Sequence, residues 1–340
     1  AVIGATAELP PGRPGAGRPL SPSWAMPTRA AWSSDGRQWQ HTEEGHRQHG
    51  QIRYALTATG PEMWVAWGPI ATPSVVSDWM TSAASGSEFS TAFELATSRG
   101  GRTVRGIRVM SGAIPEQSRP VVWLQARQHA WESGSSWVAK GIMDWLTQDT
   151  PAASWLRNNT VVYVVPIMDV DRCATGDGGK ESVPHDHNRD WSDSPHYPEV
   201  AAAQSRIRQW ISQKRLAVFI DLHNPGPADH EAFFFVAPDE VMSPPALSRR
   251  MEFLDTVRTA WDSSIPLDRE TKSTGPRYHP LWQQISSNWV AVNAPDETIS
   301  ACLETAWNTP HSTTDGYRRT GAALARGITL FLQQDHSSDE

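Results

Sequence analysis

"RPVVWLQARQHAWESGSSWVAKGIMDWL", residues 119–146, passes from an apolar run through a short polar stretch into a helix-patterned segment. Residues 119–126 ("RPVVWLQA") are β-branched and apolar, bounded by proline, and read as a strand. In residues 135–148 ("SSWVAKGIMDWLTQ"), Trp137, Val138, Ile142, Trp145 and Leu146 share one helical face. His129 and Glu132 stand between the two. Their three-residue spacing lets both side chains reach one ion from a tight turn or a first helical turn. Alone, the pair is weak evidence for metal, and a surface histidine beside an exposed glutamate is the plainer reading. A metal site requires partners elsewhere in the chain.

The same alternation runs outward from this stretch. "GRTVRGIRVM" (101–110) is a strand a hairpin's length before residues 119–126, and "TVVYVVPI" (160–167) is a buried strand. "EVAAAQSRIRQWISQK" (199–214) is an amphipathic helix. "LAVFIDLH" (216–223), "EAFFFVA" (231–237) and "TISACLETAW" (298–307) are strands, and residues 246–261 and 313–333 are helices. Strands alternating with helices predict an α/β fold, a three-layer αβα domain with a mixed central sheet. Upstream, "QIRYALTAT" and "EMWVAWGPI" are short strand-like runs bounded by glycine and proline, and "SVVSDWMTSAA" is a closing helix. The expected division is a Pro/Gly-rich segment at 1–30, a small β-rich, sandwich-like domain at 31–95 and the αβα domain at 96–340. A chain of 340 residues, 39% hydrophobic, can build one large core and one small one.

Charge and cysteine usage narrow the function. A formal net charge of −7 gives no footprint for nucleic acid or an anionic membrane. No apolar run approaches the roughly 20 residues of a membrane helix. The expected protein is soluble, either cytoplasmic or exported with a signal peptide removed. The two cysteines, Cys173 and Cys302, provide neither a disulfide framework nor a CxxC metal pattern. Any zinc must therefore be held by histidine and carboxylate.

Three further segments carry candidate chemistry. His223 closes the apolar strand "LAVFIDLH", and ligands of open α/β sheets bind at that carboxyl edge. With His129 and Glu132 it completes a two-His, one-Glu set with a coordination position left open for water. The plainer reading of His223 alone is a hydrogen-bonded strand-end histidine. "HDHNRDW" (185–191) places Asn188 and Arg189 where they could clamp a carboxylate, against a solvated loop with a local salt bridge. Glu304 interrupts an apolar strand, costly unless it is paired, faces a cleft or is at work. An alternating strand could also turn it to solvent. "TGDGG" (175–179) reads as a mobile rim loop or a plain turn.

Together these motifs, in this order, resemble the zinc carboxypeptidase superfamily, peptidase family M14 of the funnelin type, and within it the cytosolic-carboxypeptidase-like branch. The likeness runs from about residue 95 to 335. The resemblance implies one zinc ion per chain on His129, Glu132 and His223, with Asp186 behind His129. It implies Glu304 as general base and Asn188 with Arg189 on the terminal carboxylate of a peptide. Tyr278 stands for the family's late tyrosine. The family's carbonyl-polarising arginine falls on Gly179, which leaves Lys180 for that role. The chain departs from the family in reading His-Ala-Trp-Glu for His-Pro-Gly-Glu, so that the bulky Trp131 narrows the site. It also reads "PIMDVDRCATGDGGK" where Asn-Pro-Asp-Gly is usual. The implied activity is hydrolysis of the C-terminal bond of a peptide or protein. The alternative on the same fold is a zinc deacylase of N-acyl amino acids. A vestigial binding module is disfavoured, because three ligands and Glu304 are all present. Residues 278–300, with Trp289 and Asn293, are where side-chain specificity is expected.

Overall fold

The computed structural model describes residues 2–3, 26–180 and 182–338. Most of the Pro/Gly-rich segment expected at 1–30 lies outside the described residues. In chain order the strands are β1 (Val2–Ile3), β2 (Ala31–Ser33), β3 (Gln40–His41), β4 (His46–Gln48), β5 (Gln51–Arg53) and β6 (Trp64–Ala66). Then follow β7 (Ser90–Thr97), β8 (Thr103–Val109), β9 (Val121–Ala126), β10 (Val161–Val165), β11 (Leu216–His223), β12 (Phe233–Val236), β13 (Lys272–Ser273) and β14 (Ile299–Glu304). The helices are α1 (Pro73–Ser85), α2 (Ser133–Leu146), α3 (Pro151–Asn159), α4 (Val170–Thr175), α5 (Pro198–Ser212), α6 (Pro244–Ala260), α7 (Ser286–Asn293) and α8 (Thr314–Ser338).

The large sheet has eight strands in the order β13-β12-β14-β11-β9-β10-β8-β7. Its centre is parallel: β14, β11, β9 and β10 run the same way. β8 and β12 are antiparallel to their inner neighbours, so the sheet is mixed. β9, β10 and β14 are buried along their whole length, as expected of strands covered on both faces. The strands at 101–110 and 119–126 do not pair with each other. β10 inserts between them, since a parallel partner must return through a crossover, here α2 and α3.

Helices cover the two faces. Trp123 and Phe219 point to one side, where Trp123 meets Trp210 of α5 at 5.6 Å and Trp191 bridges Phe219 and Trp289 of α7 at 5.8 and 5.5 Å. Phe234 lies on the other side, against Phe253 of α6, which in turn meets Phe331 of α8. α8 also crosses α2 at close range. A Cβ on Gly141 would lie 2.1 Å from Arg318 O, and one on Gly321 would lie 2.1 Å from Val138 O.

The upstream residues form two three-stranded sheets, β1-β5-β4 and β3-β2-β6. β7 spans residue 96 and pairs with β8 in the large sheet, so the division expected at 95/96 falls inside a strand. Local signals start several helices. Thr72, Thr150 and Ser243 each accept an N–H from the first turn and are followed by proline.

Candidate active site

β9 ends at Ala126, and the chain leaves the sheet through Arg127 at φ +63°, a left-handed conformation uncommon outside glycine. The buried guanidinium pins the turn that follows: Nε donates to Ala130 O at 2.7 Å and Nη1 to Ala71 O at 2.9 Å. The Ala71 N–H in turn donates to Ser133 Oγ at 2.8 Å. The segment after the small β-rich unit therefore braces the His129–Glu132 turn. The glycine run at 175–179 docks on the same turn. Gly178 O accepts the Trp131 N–H at 2.9 Å, and Gly179 sits at φ +93° where a Cβ would lie 2.6 Å from Ala130 N. Close approach, not just a turn, requires glycine there.

His129, Glu132 and His223 come together, all buried, with one ligand atom from each within 4.8 Å of the others. Glu132 Oε1 lies 2.9 Å from His129 Nδ1, and Glu132 Oε2 lies 2.7 Å from His223 Nδ1. Burial alone would raise the Glu132 carboxyl, but His129, His223 and Lys180 hold it well below the usual carboxylate range. Burial disfavours a charged His223, yet Asp221 and Glu132 hold its imidazole well above the ordinary value. Two imidazole nitrogens and a carboxylate facing one point are the donor set of a mononuclear zinc site, and the residues fit that ion. Behind His129, Asp186 Oδ2 lies 3.6 Å from Nε2. Burial works against ionisation of Asp186, but His129, Arg189 and Lys180 bring its carboxyl down to about 2.

Glu304 ends β14 directly opposite His223, the last residue of β11, and shares its face of the sheet. Its side chain is buried. Oε2 has no hydrogen-bond partner, and Oε1 has the Cys302 thiol at 3.9 Å. Burial pushes the carboxyl up to about 7, and neighbouring Glu132 adds to the rise while His223, Lys180 and His129 oppose it. Lys180 Nζ lies 3.5 Å from Glu132 Oε1 and 5.8 Å from the Trp131 ring. Trp131 itself meets Trp307 edge-on, so the bulky residue of the His-Ala-Trp-Glu turn stands against an aromatic wall.

Arg189 and Asn188 separate in role. Arg189 donates through Nη1 to Asn188 O at 2.7 Å and lies 5.9 Å from the Tyr278 ring. Its Nε is buried without an acceptor, and among the described residues it makes no ion pair within 4 Å. The Asn188 amide is engaged by the protein at both ends. Oδ1 accepts the Ser286 N–H at 2.9 Å and Nδ2 lies 3.3 Å from His223 Nε2. The Asn188 side chain therefore lies against His223 and the start of α7, one residue before Arg189. Tyr278 is partly exposed and packs on Phe235 at 5.2 Å. Trp289 is buried against Trp191, and the Asn293 side chain donates to Trp289 O.

Asp221 was not among the expected residues. It is fully buried, and its Oδ2 receives Gln128 Nε2, Ser286 Oγ and His223 Nε2. Gln128 Oε1 in turn accepts the Trp191 indole N–H at 2.8 Å. The signal was available, because Asp and His two apart on a strand share a face. Asp221 thus stands hydrogen-bonded behind His223 at 2.9 Å, on the side of the ring away from Glu132, while Asp186 stands 3.6 Å behind His129.

These features define an αβα protein with a candidate mononuclear metal site at the carboxyl ends of its central strands. Residues 76–228 match the sequence model of the M14 peptidase family, the zinc carboxypeptidases. Human cytosolic carboxypeptidase 1 is 34% identical over 110 residues, which are 32% of this chain and 9% of that protein. Human cytosolic carboxypeptidase 4 is 33% identical over 108 residues, 31% of this chain and 10% of the relative. The chain thus matches about a tenth of the length of these curated relatives. Among solved structures, a metallo-carboxypeptidase from Burkholderia cenocepacia superposes with a TM-score of 0.77 at 18% identity, over 93% of this chain and 83% of the other. One from Pseudomonas aeruginosa, in complex with (2-guanidinoethylmercapto)succinic acid, gives 0.75 at 17%, over 92% and 82%. At these identities the likeness is one of fold. The likeness to the zinc carboxypeptidases is thus one of sequence over residues 76–228 and one of fold over most of the chain. The matched stretch contains His129, Glu132 and His223 but ends before Tyr278 and Glu304. Among the described residues no helix is long and apolar enough to cross a membrane.

Proposed function

We propose that this chain is a metallocarboxypeptidase that hydrolyses the C-terminal bond of a peptide or protein. The observation that carries the reading is Glu304: a buried carboxylate with no donor on Oε2, level with His223, beside the three ligands. His129, Glu132 and His223 would hold a zinc ion, which would supply an electrophile for the scissile carbonyl and lower the pKa of a water molecule. Glu304 accepts the proton of the attacking water and passes it to the leaving amine. A carboxyl raised by burial to about 7 is matched to both halves of that transfer. Lys180 places a cation next to the developing oxyanion, a contribution worth about 3–4 kcal/mol for a well-placed donor. Arg189 offers its open guanidinium N–H groups to the substrate's terminal carboxylate, and Tyr278 closes over it. Asp186, Asp221 and Asn188 hold the two imidazoles in place.

The test compares one peptide with a free and an amidated C-terminus. Release of the last residue from the free form only, with KM rising strongly in Arg189→Ala, is expected. Losing one partner of a desolvated charge pair costs about 2–5 kcal/mol. Equal turnover of both forms removes the carboxylate clamp. Cleavage of N-acyl amino acids but not of peptides assigns the site to a deacylase instead.

A further inference from the structure

Glu132 occupies the N-cap position of α2, yet its side chain caps nothing there. A carboxylate at an N-cap ordinarily accepts the N–H of the second or third helical residue. Here both of its oxygens are turned to His129 and His223. The N–H it would have taken, that of Ser135, is received at 3.0 Å by Oδ1 of Asn224, the residue just past the end of β11. Asn224 is almost completely buried and directly follows His223. Its own N–H donates to Glu132 Oε2 at 3.2 Å, and its Nδ2 donates to Thr305 O at 2.6 Å, the residue after Glu304. The Thr305 N–H returns to His223 O at 2.9 Å. Room for the Asn224 side chain is provided by Gly134, where a Cβ would lie 2.8 Å from Nδ2 and 2.5 Å from the buried Tyr317 ring.

We propose that Asn224 is a positioning residue that caps α2 in place of Glu132, freeing the Glu132 carboxylate for the metal and tying the Glu304 strand to the same point. The three segments that carry the metal ligands and the general base meet at this one side chain. The Ser135 N–H also reaches the Glu132 carbonyl at 3.1 Å; without Asn224 Oδ1 it keeps that acceptor alone, and the Glu132 carboxylate, the side chain at the N-cap, is the group open to replace the lost cap. Cap and ligand then compete for the same oxygens. The proposal rests on the metal-centre reading above.

The test is zinc affinity by chelator competition, with thermal melts of the metal-free and zinc-loaded protein. In Asn224→Ala, zinc affinity falls about 10–100-fold, the usual effect of losing a group that orients a ligand. The metal-free protein loses little stability, because Glu132 takes up the cap. Unchanged zinc affinity with equal loss of stability in both forms overturns the proposal and marks Asn224 as ordinary scaffold. Asn224→Asp separates the two bonds and covers the case in which the alanine variant does not fold. It keeps an acceptor for Ser135 but loses the donor to Thr305 O. Zinc affinity is retained while kcat falls, because only the Glu304 side is released. Loss of zinc by Asn224→Asp to the same degree as by Asn224→Ala also overturns the capping role. A wild type that binds no zinc overturns the metal centre, and this inference with it. Zinc bound without carboxypeptidase activity overturns only the substrate reading.

Discussion

Glu304 is held in a place that a structural carboxylate avoids, because an unpartnered buried oxygen keeps its full desolvation cost. Glu304→Gln preserves shape but cannot take a proton. Zinc content and substrate affinity should stay near wild type while kcat falls by roughly 10²–10⁴. The acid limb of the wild-type pH profile, set at or below about 7, should vanish with it. Near-normal kcat in this variant removes Glu304 from the mechanism. The residues most legible in the sequence were those whose chemistry is costly in an apolar strand, Glu304 and His223. Those that escaped are supports. Asp221 stands two residues before His223, and Asn224 one residue after it. Their roles come from partners across the fold, Gln128 and Ser286 for one, Ser135 and Thr305 for the other. No local pattern announces such partners. The Asn188 contact is of the same kind: Ser286, 98 residues downstream, donates to its amide oxygen.

Among the elements, apolar runs such as "VVYVV" and "LAVFIDLH" announced their strands, while pairing order did not follow from spacing. α3 was missed although Thr150 and Pro151 carry a cap-and-proline start, because nine residues give little periodicity to read. The loop holding Asp186 and Arg189 is anchored by a pattern equally invisible locally. His187 is buried, stacked on Tyr197 at 3.8 Å, with Nε2 2.6 Å from Glu199 and Nδ1 3.4 Å from Asp169. Burial would lower its pKa, but hydrogen bonds and charge from Asp169 and Glu199 raise it to about 9. A histidine raised on folding stabilises fully below its unfolded pKa of about 6.5, and that stability is lost as pH climbs through about 9. Folding stability should therefore decline across this window in wild type and much less in His187→Gln, as chemical denaturation at several pH values would read. Identical slopes for the two proteins would show that His187 is not charged in the fold. The α2–α8 crossing makes a separate prediction. Gly321→Ala forces a methyl against Val138 O and should cost about 1–3 kcal/mol or more by overpacking. Thermal melts would register this as a clear fall in Tm, and an unchanged Tm would mean the helices separate freely there.

For the molecule as a whole, the metal centre is a small part of a large core. β9, β11 and β14 are buried by helices on both faces, and the ligands sit at their ends. A zinc finger folds only with its ion because it has little else to bury. This chain has an eight-stranded sheet to hold the site without it. Within the site, Glu132 already pairs with both histidines, so the buried carboxylate is not left alone when the ion leaves. Removing zinc with a chelator should therefore lower Tm without unfolding the chain at room temperature. The loss is set by binding to the folded state alone, about 4 kcal/mol when free zinc stands at 1,000 times its Kd. Far-ultraviolet circular dichroism should show unchanged helix and strand content after chelation, while the melt moves down and returns when zinc is restored. A chain that unfolds on chelation would mean that the strand ends are organised by the ion and not by the packing of α2, β11 and β14. The small β-rich unit gives the same experiment a second readout. Ala71 is hydrogen-bonded to Arg127 and Ser133 on either side of the ligand turn. If the turn is pre-formed, amide exchange at Ala71 should stay slow in the metal-free protein. Rapid exchange there would show that the turn opens when the ion departs.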